Sequence, residues 1–99
     1  MALCDDQWNR QRHWSHLELT APPSEYIRRQ VYLTFMDDPV ACANIRMTGA
    51  DNLMWASDYP HSVTTWPNSR DYIEKQMAPC SAEERDKLCA GNAVRLYHL

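Results

Sequence analysis

The sequence predicts an α/β fold in which two parallel strands are joined through a helix. The predicted elements run helix, strand, helix, strand, helix, helix, an order that gives a right-handed crossover between neighbouring strands. Residues 30–35 are rich in β-branched and aromatic side chains, and residues 53–57 form a short buried run. The second run leads directly to the carboxylate of Asp58, so we expect an acid at the carboxyl end of a parallel strand.

Local signals place the helices around these strands. Asp5 or Asp6 is expected to cap the first helix, and Asp38 with Pro39 behind it starts the crossover helix, which Gly49 ends. The four predicted helices cover residues 5–16, 39–47, 68–77 and 81–90, and residues 92–97 add a last turn or two.

The C-terminal helical region has its own start and break. Ser81 and Glu84 have the spacing of a capping box, and Gly91 is expected to interrupt the helix that follows. Two strands with about four helices cannot close a sheet. The sequence therefore predicts an open strand edge, which favours pairing with another chain or with a second copy.

Composition excludes several classes of function. The 99 residues make at most one small domain, and the net charge of −3 comes from basic and acidic residues mixed along the chain. Without a basic patch, nucleic acid is not the expected partner, and no apolar run approaches the ~18 residues that a membrane span requires. The N-terminus shows no secretory signal. The four cysteines form no CxxC pair, so we expect free thiols in a reducing cytoplasm.

Asp58 and His61 are the candidate catalytic residues. Asp58 follows an apolar strand, and His61 comes just after a proline turn. The alternative is structural, with Asp58 capping the loop before Trp66 and His61 solvated. If the strand geometry extends to position 58, Asp58 lies on the face of Met54 and Ala56. Trp55 would then pack on the opposite face, under a helix.

Four segments resemble the amidohydrolase-related family, whose members are (β/α)8-barrel, metal-dependent hydrolases and decarboxylases. Residues 23–35 are similar to its seventh-strand region, and residues 51–61 (DNLMWASDYPH) are similar to its eighth strand. Residues 91–97 (GNAVRLY) resemble its closing helix, and residues 12–14 the end of its sixth helix.

The resemblance implies an incomplete TIM barrel made of the C-terminal βα units. It implies that Asp58 is the catalytic acid, either ligating a divalent metal such as zinc or manganese or handling protons beside it. His61 would orient a small organic acid that is hydrolysed or decarboxylated without oxidation. The family's His-x-His motif is missing, and a full barrel needs about 250 residues. We therefore expect a fragment, inactive alone, that lacks the N-terminal barrel portion.

Two other functions remain open at this point. One is a non-catalytic remnant or interaction module that pairs through its open strand edge or associates with itself. The other is a small structural metal module built on His13, His16 and the cysteines, although two histidines on a polar helix are more often surface imidazoles.

Overall fold

The computed structural model describes residues 1–16 and 18–99, which fall into two compact units, Met1–Tyr32 and Leu33–Leu99. Within the described residues, each helix is too short or too polar to reach across a lipid bilayer.

The first unit contains α1 (Ala2–Gln11) and α2 (Pro23–Gln30). The predicted boundaries of the first helix are wrong, because α1 begins after Met1 and ends five residues early. Asp5 does not cap it. Its carboxylate instead accepts the backbone N–H of Ser24 at 2.9 Å, in the first turn of α2. That turn begins with Pro23, which has no backbone N–H that needs an acceptor. Asp5 accepts the N–H of Ser24, because Pro22 at the N-cap has no side-chain acceptor to offer.

The second unit contains a two-stranded parallel sheet, as predicted. β1 (Leu33–Phe35) pairs with β2 (Leu53–Trp55), and Thr34 lies opposite Met54. Both strands are shorter than the predicted 30–35 and 53–57, since α2 continues through Gln30 and the chain leaves the sheet after Ala56.

The crossover between the strands is helical but divided. Asp38 caps α3 (Pro39–Ala43) by accepting the N–H of Val40 at 2.9 Å, which confirms the predicted start. A single helix over 39–47 is wrong, because the chain bends at Asn44 before α4 (Ile45–Thr48). Gly49 ends α4 with φ +82°, a conformation that favours glycine.

The C-terminal region contains α5 (Ser69–Gln76), α6 (Ala82–Asp86), a π-helical turn (Lys87–Gly91) and α7 (Asn92–Tyr97). The capping box is present, with the N–H of Ser81 donating to Glu84 at 2.7 Å and the N–H of Glu84 donating to Ser81 at 3.2 Å. Gly91 does not interrupt the helix. Its backbone is helical, and the π turn joins α6 to α7.

One face of the sheet packs on the helices. Phe35, Leu53 and Trp55 contact a buried apolar cluster drawn from the crossover and the C-terminal helices. The members of that cluster are Cys42, Ile45, Ala50, Met77 and Leu88. Trp55 therefore lies under helices, as expected, and strand alternation places the buried Met54 on the other face.

Side chains engage a backbone carbonyl just past the end of β1 and another on the outer edge of β2. The hydrogen bonds from Leu33 N–H to the Asn52 carbonyl and from Ala56 N–H to the Phe35 carbonyl join the two strands. Because backbone groups alternate in direction along a strand, the Leu53 carbonyl points away from β1. Beyond β1, the Met36 carbonyl accepts the Trp55 indole N–H at 3.0 Å and the Gln76 amide at 2.7 Å. On the outer edge of β2, the Leu53 carbonyl accepts the Asn92 amide at 2.7 Å. The outer edge of β2 is thus partly covered from within the chain.

Candidate functional site

Asp58 lies just beyond the carboxyl end of β2. Its backbone is left-handed, with φ +58°, a conformation that Asp tolerates better than most residues. This turn ends the strand alternation. The direction of the Asp58 side chain is therefore set by the turn, and the expectation that it shares the face of Met54 stays a prediction.

A tight turn brings Asp58 and His61 together. The N–H of His61 donates to the Asp58 carbonyl at 2.9 Å, so the two side chains leave the same turn. His61 Nδ1 lies 3.6 Å from Asp58 Oδ2, which is ion-pair distance when the imidazole is protonated. The side chains are 74% and 58% exposed, so the pair contributes only about 0–1 kcal/mol to stability.

The loop that carries this pair is pinned at its base. The Ser57 carbonyl accepts the Thr64 hydroxyl at 2.6 Å and the Thr65 N–H at 3.2 Å. The buried Thr65 hydroxyl lies 3.0 Å from the Ser69 hydroxyl at the start of α5. Residues 57–65 therefore form a closed loop that holds the Asp58–His61 turn at the end of the sheet.

One exposed aromatic ring lies within the turn, at Tyr59, and a second follows the loop, at Trp66. The ring centroids of Tyr59 and Trp66 are 5.6 Å apart with an interplanar angle of 61°. The two residues are 64% and 60% exposed. Trp55, by contrast, packs on the buried face of the sheet, where its indole N–H donates a hydrogen bond to the Met36 carbonyl.

Sequence reasoning missed the residue that fixes the start of β2. Asn92 is 1% exposed, and its amide donates to the Ala50 carbonyl at 2.6 Å and to the Leu53 carbonyl at 2.7 Å. Arg95, on the same helix, donates to the neighbouring Asp51 carbonyl. The signal in the sequence is a polar amide within an otherwise amphipathic closing helix, but its partners lie about forty positions upstream.

The described residues do not complete a metal site. Nowhere in residues 1–16 and 18–99 do three or more His, Cys, Asp or Glu side chains come together in a way that could hold a metal ion. Asp58 and His61 alone fall short of the three or four protein ligands that zinc takes. His13 and His16 are both exposed. A metal at Asp58 would need ligands from outside the described residues.

The cysteines are free thiols. Burial raises the pKa of Cys42 to about 12, with a further contribution from the neighbouring Cys80, and burial also raises the pKa of Cys89. Both effects keep the thiols protonated at neutral pH, which argues against a nucleophilic role.

Comparisons with known proteins agree with the observed fold. A family model described as Amidohydrolase matches residues 6–99. The crystal structure of 5-carboxyvanillate decarboxylase LigW from Sphingomonas paucimobilis is 25% identical, with a TM-score of 0.76. The match covers 99% of this chain and 29% of that decarboxylase. The search of curated proteins found no match.

Proposed function

The chain belongs to the amidohydrolase family, and on that premise we propose that it forms the eighth-strand end of an active site. The reaction is metal-assisted hydrolysis or non-oxidative decarboxylation of a small organic acid. The 99 residues are inactive alone and need further barrel strands. The cytoplasm, where the four thiols stay reduced, is the proposed compartment.

One observation carries this proposal. The Asp58 carboxylate and the His61 imidazole are 3.6 Å apart, on a pinned loop at the carboxyl end of a parallel strand. Active sites of α/β barrels are built from the loops at that end of the strands. An acid kept only for solubility would need neither a fixed partner nor a closed loop.

Asp58 and His61 have separate proposed roles. The family generally uses a divalent metal, and Asp58 is proposed to give one carboxylate ligand or to handle a proton beside the metal. His61 is proposed to orient the substrate and to be held in turn by Asp58. Catalytic contacts are often long before substrate binds, so 3.6 Å is compatible with this pairing.

The structural neighbour favours decarboxylation as the reaction to test. In that reaction the bond to the carboxylate carbon breaks, carbon dioxide leaves, and the bonding pair stays on the substrate carbon. That carbon must then take a proton from an acid nearby. Besides the phenol of Tyr59, Asp58 and His61 are the titratable side chains of this turn, and the proton is proposed to pass through these two.

A chimera tests the proposal. This chain would replace the matching 29% of the solved decarboxylase, and turnover of 5-carboxyvanillate would be followed by carbon dioxide release. Asp58→Asn should lower kcat at least about a hundredfold, as expected for loss of an acid–base group. The matched control is Asp71→Asn, an exposed acid in the first turn of α5, which should leave kcat within about twofold.

One outcome of the chimera assay would contradict the proposal. If the chimera is active and Asp58→Asn turns over as fast as Asp71→Asn, then Asp58 is a loop cap. The isolated chain, assayed with added zinc or manganese on the same acid, should show no turnover. Turnover that disappears in Asp58→Asn would show that the chain completes its own site.

A second candidate is an interaction module without catalysis. Leu33 is 57% exposed on the short strand β1, and Val40 is 60% exposed on the crossover. Such apolar exposure beside an open sheet favours self-association. This candidate predicts association that does not depend on Asp58.

A further inference from the structure

The peptide group between Ser57 and Asp58 connects the end of the sheet to the candidate site. A peptide group is planar, so a fixed Ser57 carbonyl also fixes the direction in which the chain enters Asp58. That carbonyl accepts two hydrogen bonds, from the Thr64 hydroxyl at 2.6 Å and from the Thr65 N–H at 3.2 Å. The shorter bond comes from a side chain, so a substitution at Thr64 removes it.

The Thr64 hydroxyl has a set direction. It accepts the N–H of Trp66 at 3.2 Å, and its own hydrogen is left to donate to the Ser57 carbonyl. Thr64 is half-buried, so water competes with this bond less than it would at an exposed side chain. By accepting on one side and donating on the other, the hydroxyl holds the two ends of the loop together.

The Asp58–His61 pair does not hold itself in place. Its side chains are 3.6 Å apart and more than half exposed, and such a pair adds little to stability. Asp58 is also left-handed, with φ +58°, and a residue other than glycine keeps that conformation only where its surroundings hold it. The bond from His61 N–H to the Asp58 carbonyl closes the turn without tying it to the sheet. The Thr64 bond, made to the last carbonyl before the turn, does tie it.

We propose that Thr64 is a positioning residue, whose hydroxyl holds the Ser57–Asp58 peptide so that the Asp58 carboxylate meets His61. The proposal rests on the proposed function, because it names a further residue on which the chemistry of Asp58 depends. Thr64 acts through Asp58 and not on the substrate. Moving a reacting group by about 1 Å can cost about a hundredfold in rate, so one hydroxyl at this place is enough to change kcat.

The first test uses the 99-residue chain and needs no turnover. In the chain isotope-labelled at histidine, Asp58→Asn should move the imidazole resonances of His61, which His61→Gln identifies. In the Thr64→Val background the same substitution should move them by less than about half as much, because the pair is no longer held. Thr64→Ser keeps the hydroxyl and should keep the full effect. So should the matched control Thr48→Val, which loses a hydroxyl bond of 3.2 Å to a backbone carbonyl on α4.

The second test measures turnover in the chimera with the decarboxylase. Thr64→Val should lower kcat about ten- to a hundredfold and leave KM within about twofold, since the substrate still binds a site whose Asp58 has moved. Once Asp58 is replaced by Asn, Thr64→Val should lower kcat no further, which a general loss of structure would not reproduce. Thr64→Ala removes the same hydroxyl and decides in the same way if Thr64→Val does not fold. Failure of both variants to fold would make Thr64 a residue of stability alone and overturn the proposal.

The positioning role and the proposed function can fail separately. An effect of Asp58→Asn on His61 that is absent, or equally large in Thr64→Val, overturns the positioning role. A weakened effect in Thr64→Val beside a chimera that turns over nothing refutes the proposed reaction and leaves the positioning role. Turnover that depends on Asp58 but is as fast in Thr64→Val as in Thr48→Val does the reverse.

Discussion

Replacing Asn92 tests how the closing helix holds the site strand. Its side chain is 1% exposed and donates to two backbone carbonyls, those of Ala50 and Leu53, at 2.6 and 2.7 Å. Asn92→Ala leaves both acceptors without this donor. An unsatisfied buried polar group costs about 1–3 kcal/mol, so the variant should lose about 2–4 kcal/mol, a large part of the ~5–15 kcal/mol typical of a folded domain.

The assay is urea unfolding followed by tryptophan fluorescence, to which Trp55 on β2 contributes together with Trp8, Trp14 and Trp66. All samples need one protein concentration, because the unfolding midpoint of a self-associating chain depends on concentration. Asn68→Ala is the matched control. Asn68 is exposed and its side chain makes no cap hydrogen bond, so its loss should change stability by no more than about 0.5 kcal/mol.

Asn92→Asp tests whether the side chain at this position must donate hydrogen bonds to the two carbonyls. The introduced carboxylate would face two carbonyl oxygens, so its folded-state pKa would lie above its unfolded value. Its stability would therefore be greatest at low pH, where the protonated acid can donate, and would fall as pH rises through the folded pKa. A loss below about 1 kcal/mol in Asn92→Ala, or an equal loss in Asn68→Ala, would refute this account of the helix.

Two further predictions concern the capping box and the state of the chain. Ser81→Ala should cost about 1 kcal/mol in the same urea assay. The backbone hydrogen bond from Ser81 lowers the pKa of Glu84, so its stabilisation is present above the unfolded pKa and is lost as pH falls through the folded value. Glu84→Gln should flatten that acid limb, and an unchanged pH profile would contradict it. Sizing chromatography should show that the chain associates into species larger than a monomer, and Asp58→Asn should leave this association unchanged. A single monomer peak would contradict the view that exposed strand surfaces hold copies of the chain together.

The sequence predicts best where a structure depends on neighbouring residues. Asp38 caps its own helix two positions on, and Ser81 and Glu84 satisfy each other within one turn. The closeness of Asp58 and His61 depends on neighbouring residues in the same way, because a single turn fixes it. In each case the partners lie within four residues.

Predictions failed where distant partners or a competing local preference decide the outcome. No helix was predicted over residues 23–30, but a proline in the first turn of a helix is favourable, so α2 forms and shortens the expected strand. Asp5 is a residue type that commonly caps helices, and it was expected to cap its own helix. Its carboxylate instead accepts the N–H of Ser24, nineteen positions away. Asn92 could not be recognised as the anchor of β2, since spacing and periodicity give no information on contacts about forty residues apart.

The side chains that engage the outer edge of β2 restrict how this sheet can be extended. The Leu53 carbonyl is taken by Asn92, and the Ser57 carbonyl is taken by Thr64 and Thr65. A strand that pairs with the outer edge of β2 meets a hydrogen bond already made at Leu53, and the chain has left the sheet before Ser57. Pairing at this edge is therefore confined to the few residues between these two positions. The closing helix and the site loop together limit the length of strand that can be added beside β2.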